Sequence, residues 1–186
     1  VSVKSHKVAT LNPNAQYQKA VTLEEVKAAR MISDPLTLLQ CSPTSDGASA
    51  IVLASEKAAR RYSTPDKWVR IAGWAAGTQK FVANAAANAV DELAEGTVER
   101  LAHEAYTRAG VGPSDVGVTQ VHEAFTPGEV LTIEELGYCK PGEGADMVLR
   151  GETDIAGRFP VNTDGGLISR GHPVGATGAA QAIQLM

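Results

Sequence analysis

The sequence predicts an α/β fold, and two features of its 186 residues support that class. Short apolar runs typical of buried strands alternate with amphipathic segments typical of helices, which is the order from which α/β domains are built. Glycine-rich loops follow several of these runs, and in such folds ligands bind where strands end. We therefore expect helices packed on a sheet, with the functional side chains on the loops.

The composition excludes several classes of protein. A formal net charge of −4 without a run of Lys or Arg argues against nucleic acid or an anionic membrane as partner. No apolar stretch approaches the roughly 20 residues of a membrane span, and the N-terminus has no signal-peptide pattern. Two cysteines, Cys41 and Cys139, suit a reducing compartment, and the four histidines show no zinc-ligand spacing. We expect a soluble globular protein without a disulfide framework or a metal.

The first 40 residues contain one clear helix signal. Residues 1–20 are polar and are expected to be irregular, with His6 on the surface. Thr22 and Glu25 have the spacing of a capping box, which predicts a short helix through about Arg30.

A turn-rich loop, residues 41–47, precedes an unbroken run of small and apolar side chains at 48–55 that predicts a buried strand. From the residues alone, Ser42 is a turn residue. Neither an adjacent histidine nor a basic cluster is present to lower the pKa of Cys41, so we expect a buried structural cysteine. Cys139 is expected to be structural in the same way.

The middle of the chain continues the alternation of helix and strand. Residues 55–61 predict a polar helix, and 69–76 the first strand of a second unit. Apolar side chains at helical spacing over 98–109, followed by Gly110, predict an amphipathic helix. His103 lies off the apolar face and should be solvated.

The last third adds two strands and a helix. Residues 116–122 predict a strand, 127–136 a helix stopped by Gly137, and 159–162 another strand. Between the last two, residues 138–158 carry four glycines and many charges and are expected to form a long surface loop.

Two histidines stand where chemistry is expected. His122 lies at the end of the strand predicted at 116–122. His172 lies in a glycine-spaced loop, where Pro173 favours an extended backbone before a final helix and Gly171 lets a ligand or another segment come close. An imidazole beside the free amides of a helix start suits an anionic oxygen. Each histidine alone fits a functional role or a packing role about equally.

Together the two motifs resemble those of the thiolases. His122-Glu-Ala-Phe125 is similar to their Asn-Glu-Ala-Phe motif, with histidine in place of asparagine as in the sterol carrier protein X branch. Gly171-His-Pro-Val-Gly-Ala-Thr-Gly178 matches their Gly-His-Pro loop at nearly every position. Further matches are His6-Lys7, Asn12-Pro13, and the segments at 39–48, 134–139 and 165–171. The resemblance covers all 186 residues, but only about the second half of a thiolase.

The resemblance implies a thiolase-like fold, with a mixed sheet flanked by helices. It divides the chain into the end of the loop domain at 1–40, the last strand and helix of the N-terminal thiolase domain at 41–62, and a truncated C-terminal domain at 63–186. The fold is expected to be incomplete, with the N-terminal half and the last strands absent.

The resemblance also implies thiolytic cleavage of a 3-oxoacyl-CoA, with coenzyme A as co-substrate and no covalently bound cofactor. His172 would activate the nucleophilic cysteine and help to bind the enolate oxygen, and His122 would act at that oxyanion. Ser42 and Gly171 would contact substrate or coenzyme A. The nucleophile belongs to the half that is absent, so this chain alone should be inactive. Ala124 replaces a cysteine of the sterol carrier protein X branch, which leaves the acid/base role open.

Other functions stay open at this stage. One is a thiolase-like aldolase of steroid side-chain degradation, and another is a non-catalytic module that binds acyl-CoA or lipid. The full-length protein is expected to be a homodimer or homotetramer. It would be cytoplasmic in a bacterium and peroxisomal in a eukaryote.

Overall fold

The computed structural model describes residues 1–78 and 96–186. Its α-helices are α1 (Ser2–Ala9), α2 (Leu23–Ala28), α3 (Glu56–Ala59), α4 (Thr97–Ala109), α5 (Thr126–Glu135), α6 (Gly144–Leu149), α7 (Gly166–Ser169) and α8 (Val174–Gln184). Short 3₁₀ turns occur at Leu38–Gln40, Pro65–Lys67 and Pro113–Asp115. The strands β1 (Met31–Ser33) and β2 (Leu36–Thr37) form an antiparallel pair.

Three predicted helices form where their end signals indicated. Thr22 caps α2 with a complete capping box, in which Glu25 N donates to Thr22 Oγ1 and Thr22 N donates to a Glu25 carboxylate oxygen. Helix α4 ends at Gly110, whose φ of 72° is left-handed, and α5 is followed by Gly137. His103 is exposed on α4, as predicted. The helix predicted at 55–61 is shorter, since α3 has only four residues.

The N-terminal segment corrects two expectations. Residues 1–20 begin with α1, which packs against α7. His6 is not on the surface but only 2% exposed, with Nδ1 at 3.0 Å from Ser2 O. The polar composition of α1 was misleading because several of its polar groups bond to partners inside the protein. Lys4, for example, pairs with Glu129 and donates to Val161 O.

The strands predicted at 48–55, 69–76, 116–122 and 159–162 do not form as ladders in the described part of the chain. One parallel bridge, Thr119 to Val161, joins the last two segments. Residues 48–55 are also not buried, because Val52 is 92% exposed and Leu53 75%. The physical reason is that an apolar run becomes a strand only when neighbouring backbones satisfy its N–H and C=O groups.

The segment 138–158 is not the surface loop that its glycines and charges suggested. It contains α6, and Met147 on that helix is fully buried. Met147 belongs to the main core, whose buried members are Val121, Ile133, Tyr138, Met147, Phe159 and Val161. Tyr138 and Phe159 stack with ring centroids 4.6 Å apart. This core lies directly beneath the segment that carries His122. No helix in the described ranges is long and apolar enough to cross a membrane.

Candidate active site

The fold brings the two predicted histidines together, although they are 50 positions apart in the sequence. The rings of His122 and His172 meet edge to face, with centroids 4.8 Å apart and an interplanar angle of 82°. His122 is exposed, and His172 is half-buried. Two imidazoles at this distance can act on one small group bound between or beside them.

The segment of His122 is held by side chains instead of a strand ladder. Asn162 Oδ1 accepts from Val121 N at 2.9 Å, and Gln181 Nε2 donates to Val121 O at 2.5 Å. Asn162 itself has a positive φ of 53°, and it is fully buried. Because both backbone groups next to His122 are bonded in this way, the position of the imidazole depends on α8 and on the turn at residue 162.

The loop of His172 is held on both sides as well. Its backbone N donates to Ser45 Oγ at 3.0 Å, and Thr44 forms a parallel bridge with it. Thr177 Oγ1 donates to Pro173 O at 2.9 Å and lies 2.8 Å from His172 Nδ1. A hydroxyl that donates elsewhere must accept here, so Nδ1 carries the ring proton and Nε2 keeps a free lone pair.

The electrostatic surroundings favour the neutral form of His172. Burial lowers the pKa of the His172 imidazole, and the neighbouring His122 and Arg170 lower it further. Desolvation and nearby positive charge both disfavour the protonated ring. At neutral pH, His172 therefore has a free Nε2 that can take up a proton.

Ser42 and Gly171, the other predicted site residues, lie next to the two histidine segments. Ser42 N donates to Ala124 O at 2.8 Å, which joins the 41–47 loop to the His122 motif. Gly171 has a φ of 116°, and a Cβ there would come within 2.9 Å of Gln16 Oε1 and 3.1 Å of Ser45 Oγ. In this structure, the glycine therefore admits another chain segment.

Neither cysteine has the environment of an activated thiol. Burial raises the pKa of Cys41, whose Sγ lies 3.4 Å from Thr37 O. Burial also raises the pKa of Cys139, assisted by the nearby Glu134 and Glu143 carboxylates. Both thiols are free and half-buried. Among the described residues, no group of three or more His, Cys, Asp or Glu side chains could hold a metal ion.

Four residues that hold the two histidine segments were not predicted from the sequence: Ser45, Asn162, Thr177 and Gln181. Three of them had no signal beyond being polar. Thr177 could have been found, because it lies four residues after Pro173 at the start of a predicted helix, where a hydroxyl reaches back one turn.

Comparison with known proteins decides the family. Residues 80–186, more than half of the chain, match the family model described as thiolase C-terminal domain-like. The chain belongs to the thiolase family. Its thiolase-like fold is also seen in a solved structure, the Ltp2-ChsH2(DUF35) aldolase, with a TM-score of 0.78 and 29% identity. That match covers 100% of this chain and 48% of the aldolase chain.

Two curated relatives illustrate the range of this thiolase family. Sterol carrier protein 2 of Bos taurus is 39% identical over 182 residues, which are 98% of this chain and 34% of the relative. An acetyl-CoA acetyltransferase of Methanothermobacter thermautotrophicus is 39% identical over 186 residues, 100% of this chain and 47% of the relative. The chain thus spans between a third and a half of these relatives.

Proposed function

We propose that this chain carries the histidine side of a thiolase active site, and that the full-length gene product cleaves 3-oxoacyl-CoA with coenzyme A. The observation that carries the proposal is the contact between the His122 and His172 rings, 4.8 Å between centroids. The similarity to an acetyl-CoA acetyltransferase supports the acyl-CoA substrate.

The proposed chemistry needs a thiolate nucleophile, an acid/base group and donors for an oxyanion. His172 is suited to the role of general base, because Thr177 holds the ring proton on Nδ1 and leaves Nε2 free to activate a thiol. Helix α8 begins two residues later, so its first amides favour negative charge nearby. His122 would donate to the enolate oxygen that forms when the carbon–carbon bond breaks.

The nucleophile is proposed to lie in the part of the thiolase fold that this chain does not match. Cys41 and Cys139 are poor candidates, because their pKa values are raised. We propose the same domain division as the resemblance implied: 1–40 as the end of the loop domain, 41–62 as the end of the N-terminal thiolase domain, and 63–186 as the C-terminal domain. Ser42 and Gly171 would lie along the coenzyme A chain.

The test is thiolysis by the full-length gene product carrying His172→Ala. Because His172→Ala removes a general base, it is expected to lower kcat by about 10²- to 10⁴-fold. His122→Ala removes an oxyanion donor and is expected to lower kcat by about 10²- to 10³-fold. His103→Ala is the matched control, because that histidine is exposed on α4 and should leave kcat unchanged. Near-normal turnover of the His172 variant would refute the assignment.

A second candidate is a carbon–carbon lyase of the aldolase type. It is favoured by the similarity to the Ltp2-ChsH2(DUF35) aldolase over the whole chain. An aldolase releases a ketone or aldehyde without consuming free coenzyme A, whereas thiolysis consumes one coenzyme A per cleavage. Measuring both products with and without added coenzyme A separates the two activities.

A third candidate is a binding module without catalysis. The names of two relatives, sterol carrier protein 2 and a non-specific lipid-transfer protein-like protein of Caenorhabditis elegans, favour it. Acyl-CoA binding that is unaffected by His172→Ala, together with no turnover, would support this candidate over the enzyme.

A further inference from the structure

Glu123 is a buried carboxyl group at the junction of the two histidine segments. It follows His122 in the sequence, but its side chain is fully buried while His122 is exposed. Its Oε1 accepts a hydrogen bond from Leu167 N at 2.7 Å. Its Oε2 is also buried and has no hydrogen-bond partner. One side chain thus joins the His122 segment to α7, at an amide five positions before His172.

The turn at Gly166 is shaped around this carboxyl group. A Cβ on Gly166 would lie 1.9 Å from Glu123 Oε1 and 3.1 Å from Asn162 Nδ2, and the residue has a left-handed φ of 60°. Only glycine lets the backbone come this close to the carboxyl. The close approach places the Leu167 amide against Oε1 and so determines where α7 begins.

The route from this hydrogen bond to His172 is short and is held by contacts inside the protein. Helix α7 is fully buried over its four residues, and the chain passes from its end through Arg170 and Gly171 to His172. Arg170 is itself held by an ion pair with Asp164. A shift of Leu167 relative to Glu123 would therefore move the His172 loop relative to His122.

We propose that Glu123 is a positioning residue that sets the spacing and orientation of His122 and His172 through its hydrogen bond to Leu167 N–H. This role rests on the proposed function insofar as the pair is catalytic. The bond needs an acceptor oxygen at the full length of a glutamate side chain, but it does not need a negative charge. Burial raises the pKa of Glu123 to about 8, assisted by the nearby Glu129 carboxylate, so the carboxyl is mostly neutral at pH 7. Glutamine is therefore the close substitute, and aspartate is one methylene too short.

The experiment compares Glu123→Gln with Glu123→Asp in the full-length gene product. The readouts are the pKa of His172, from its imidazole C–H signals in an NMR pH titration, and kcat for thiolysis. Glu123→Gln is expected to keep the low pKa of His172 and to stay within about threefold of the normal kcat. Glu123→Asp is expected to raise that pKa towards the ordinary histidine value and to lower kcat at least about tenfold, the equivalent of one lost hydrogen bond.

Glu129→Gln is the matched control for a merely structural effect. Glu129 is equally buried and bonds Lys4, so its loss should lower stability without moving the pKa of His172. The proposal is overturned if Glu123→Asp keeps the normal His172 pKa, or if Glu123→Gln behaves like Glu123→Asp. The titration tests the positioning role even in a protein that shows no thiolysis. A failure of the positioning role can therefore be distinguished from a failure of the proposed function.

Discussion

Thr177 holds His172 in a single tautomer: its hydroxyl donates to Pro173 O and lies 2.8 Å from Nδ1 of the imidazole. A neutral imidazole has one donor and one acceptor nitrogen, so a fixed Nδ1–H fixes the free lone pair on Nε2. The residue that orients His172 thus lies in the first turn of α8, the helix that follows His172 in the sequence.

Removing the Thr177 hydroxyl should release this tautomer. We expect Thr177→Val to lower kcat for thiolysis by about tenfold, the equivalent of one hydrogen bond, with little change in KM. Thr177→Ser keeps the hydroxyl and should stay close to the original rate. Imidazole ¹⁵N chemical shifts of His172 provide the direct measurement of the tautomer. An unchanged tautomer in the valine variant would show that another group holds the ring.

The turn at Gly166 should not tolerate a side chain. Gly166→Ala would force a Cβ against Glu123 Oε1 in a left-handed backbone conformation, and we expect a loss of at least about 2 kcal/mol in the free energy of unfolding. Urea denaturation measures this loss.

Gly178→Ala is the matched control for that substitution. Gly178 lies inside α8, and a Cβ there would meet nothing within 4 Å. The same change should therefore stabilise the protein by about 0.5–1 kcal/mol, because alanine favours the helix more than glycine does. Equal effects of the two substitutions would contradict the close packing at Gly166.

Buried His6 should make stability depend on pH. Burial lowers the pKa of His6 in the folded state, and its bond to Ser2 O offsets only part of the shift. Below about pH 6.5 the unfolded chain takes up a proton that the folded protein resists. Stability is therefore complete above that pH and is lost as the pH falls towards the lower, folded-state pKa. For one proton the slope is at most about 1.4 kcal/mol per pH unit.

His6→Gln should reduce this slope, and the midpoints of urea unfolding at pH 7.5 and pH 5 provide the measurement. Part of the slope should remain, because the pKa of His172 is lowered too. His103→Gln changes an exposed histidine and should leave the slope as it was. A slope that is the same in the His6 variant as in the original protein would contradict a buried neutral ring.

The cysteines of this chain should not form an acyl-enzyme. After incubation of the 186-residue polypeptide with a 3-oxoacyl-CoA and coenzyme A, the intact mass should stay near 19.4 kDa. The reason is that a thiol with a raised pKa is a thiolate only to a small extent at neutral pH. Detection of an acyl adduct would identify Cys41 or Cys139 as the nucleophile. It would contradict the proposal that the nucleophile lies outside this chain.

The sequence by itself determined the features that depend on local physical chemistry. The capping box at Thr22 and the left-handed stop at Gly110 follow from side chains within one turn, so α2 and α4 were predictable. The two histidine motifs and their similarity to the thiolases were also present in short, contiguous stretches. Their family and fold were confirmed by the comparisons.

Only the tertiary structure decided which polar groups are buried and which apolar runs form strands. Residues 48–55 look like a strand but lie exposed, and α1 looks like surface but holds buried His6, because each outcome depends on what packs against the segment. The meeting of His122 with His172 was likewise set by distant groups. Asn162, Gln181 and Glu123 hold the two motifs together through hydrogen bonds between residues 41 to 60 positions apart. No periodicity in a sequence encodes bonds of that range, since they exist only once the core has formed.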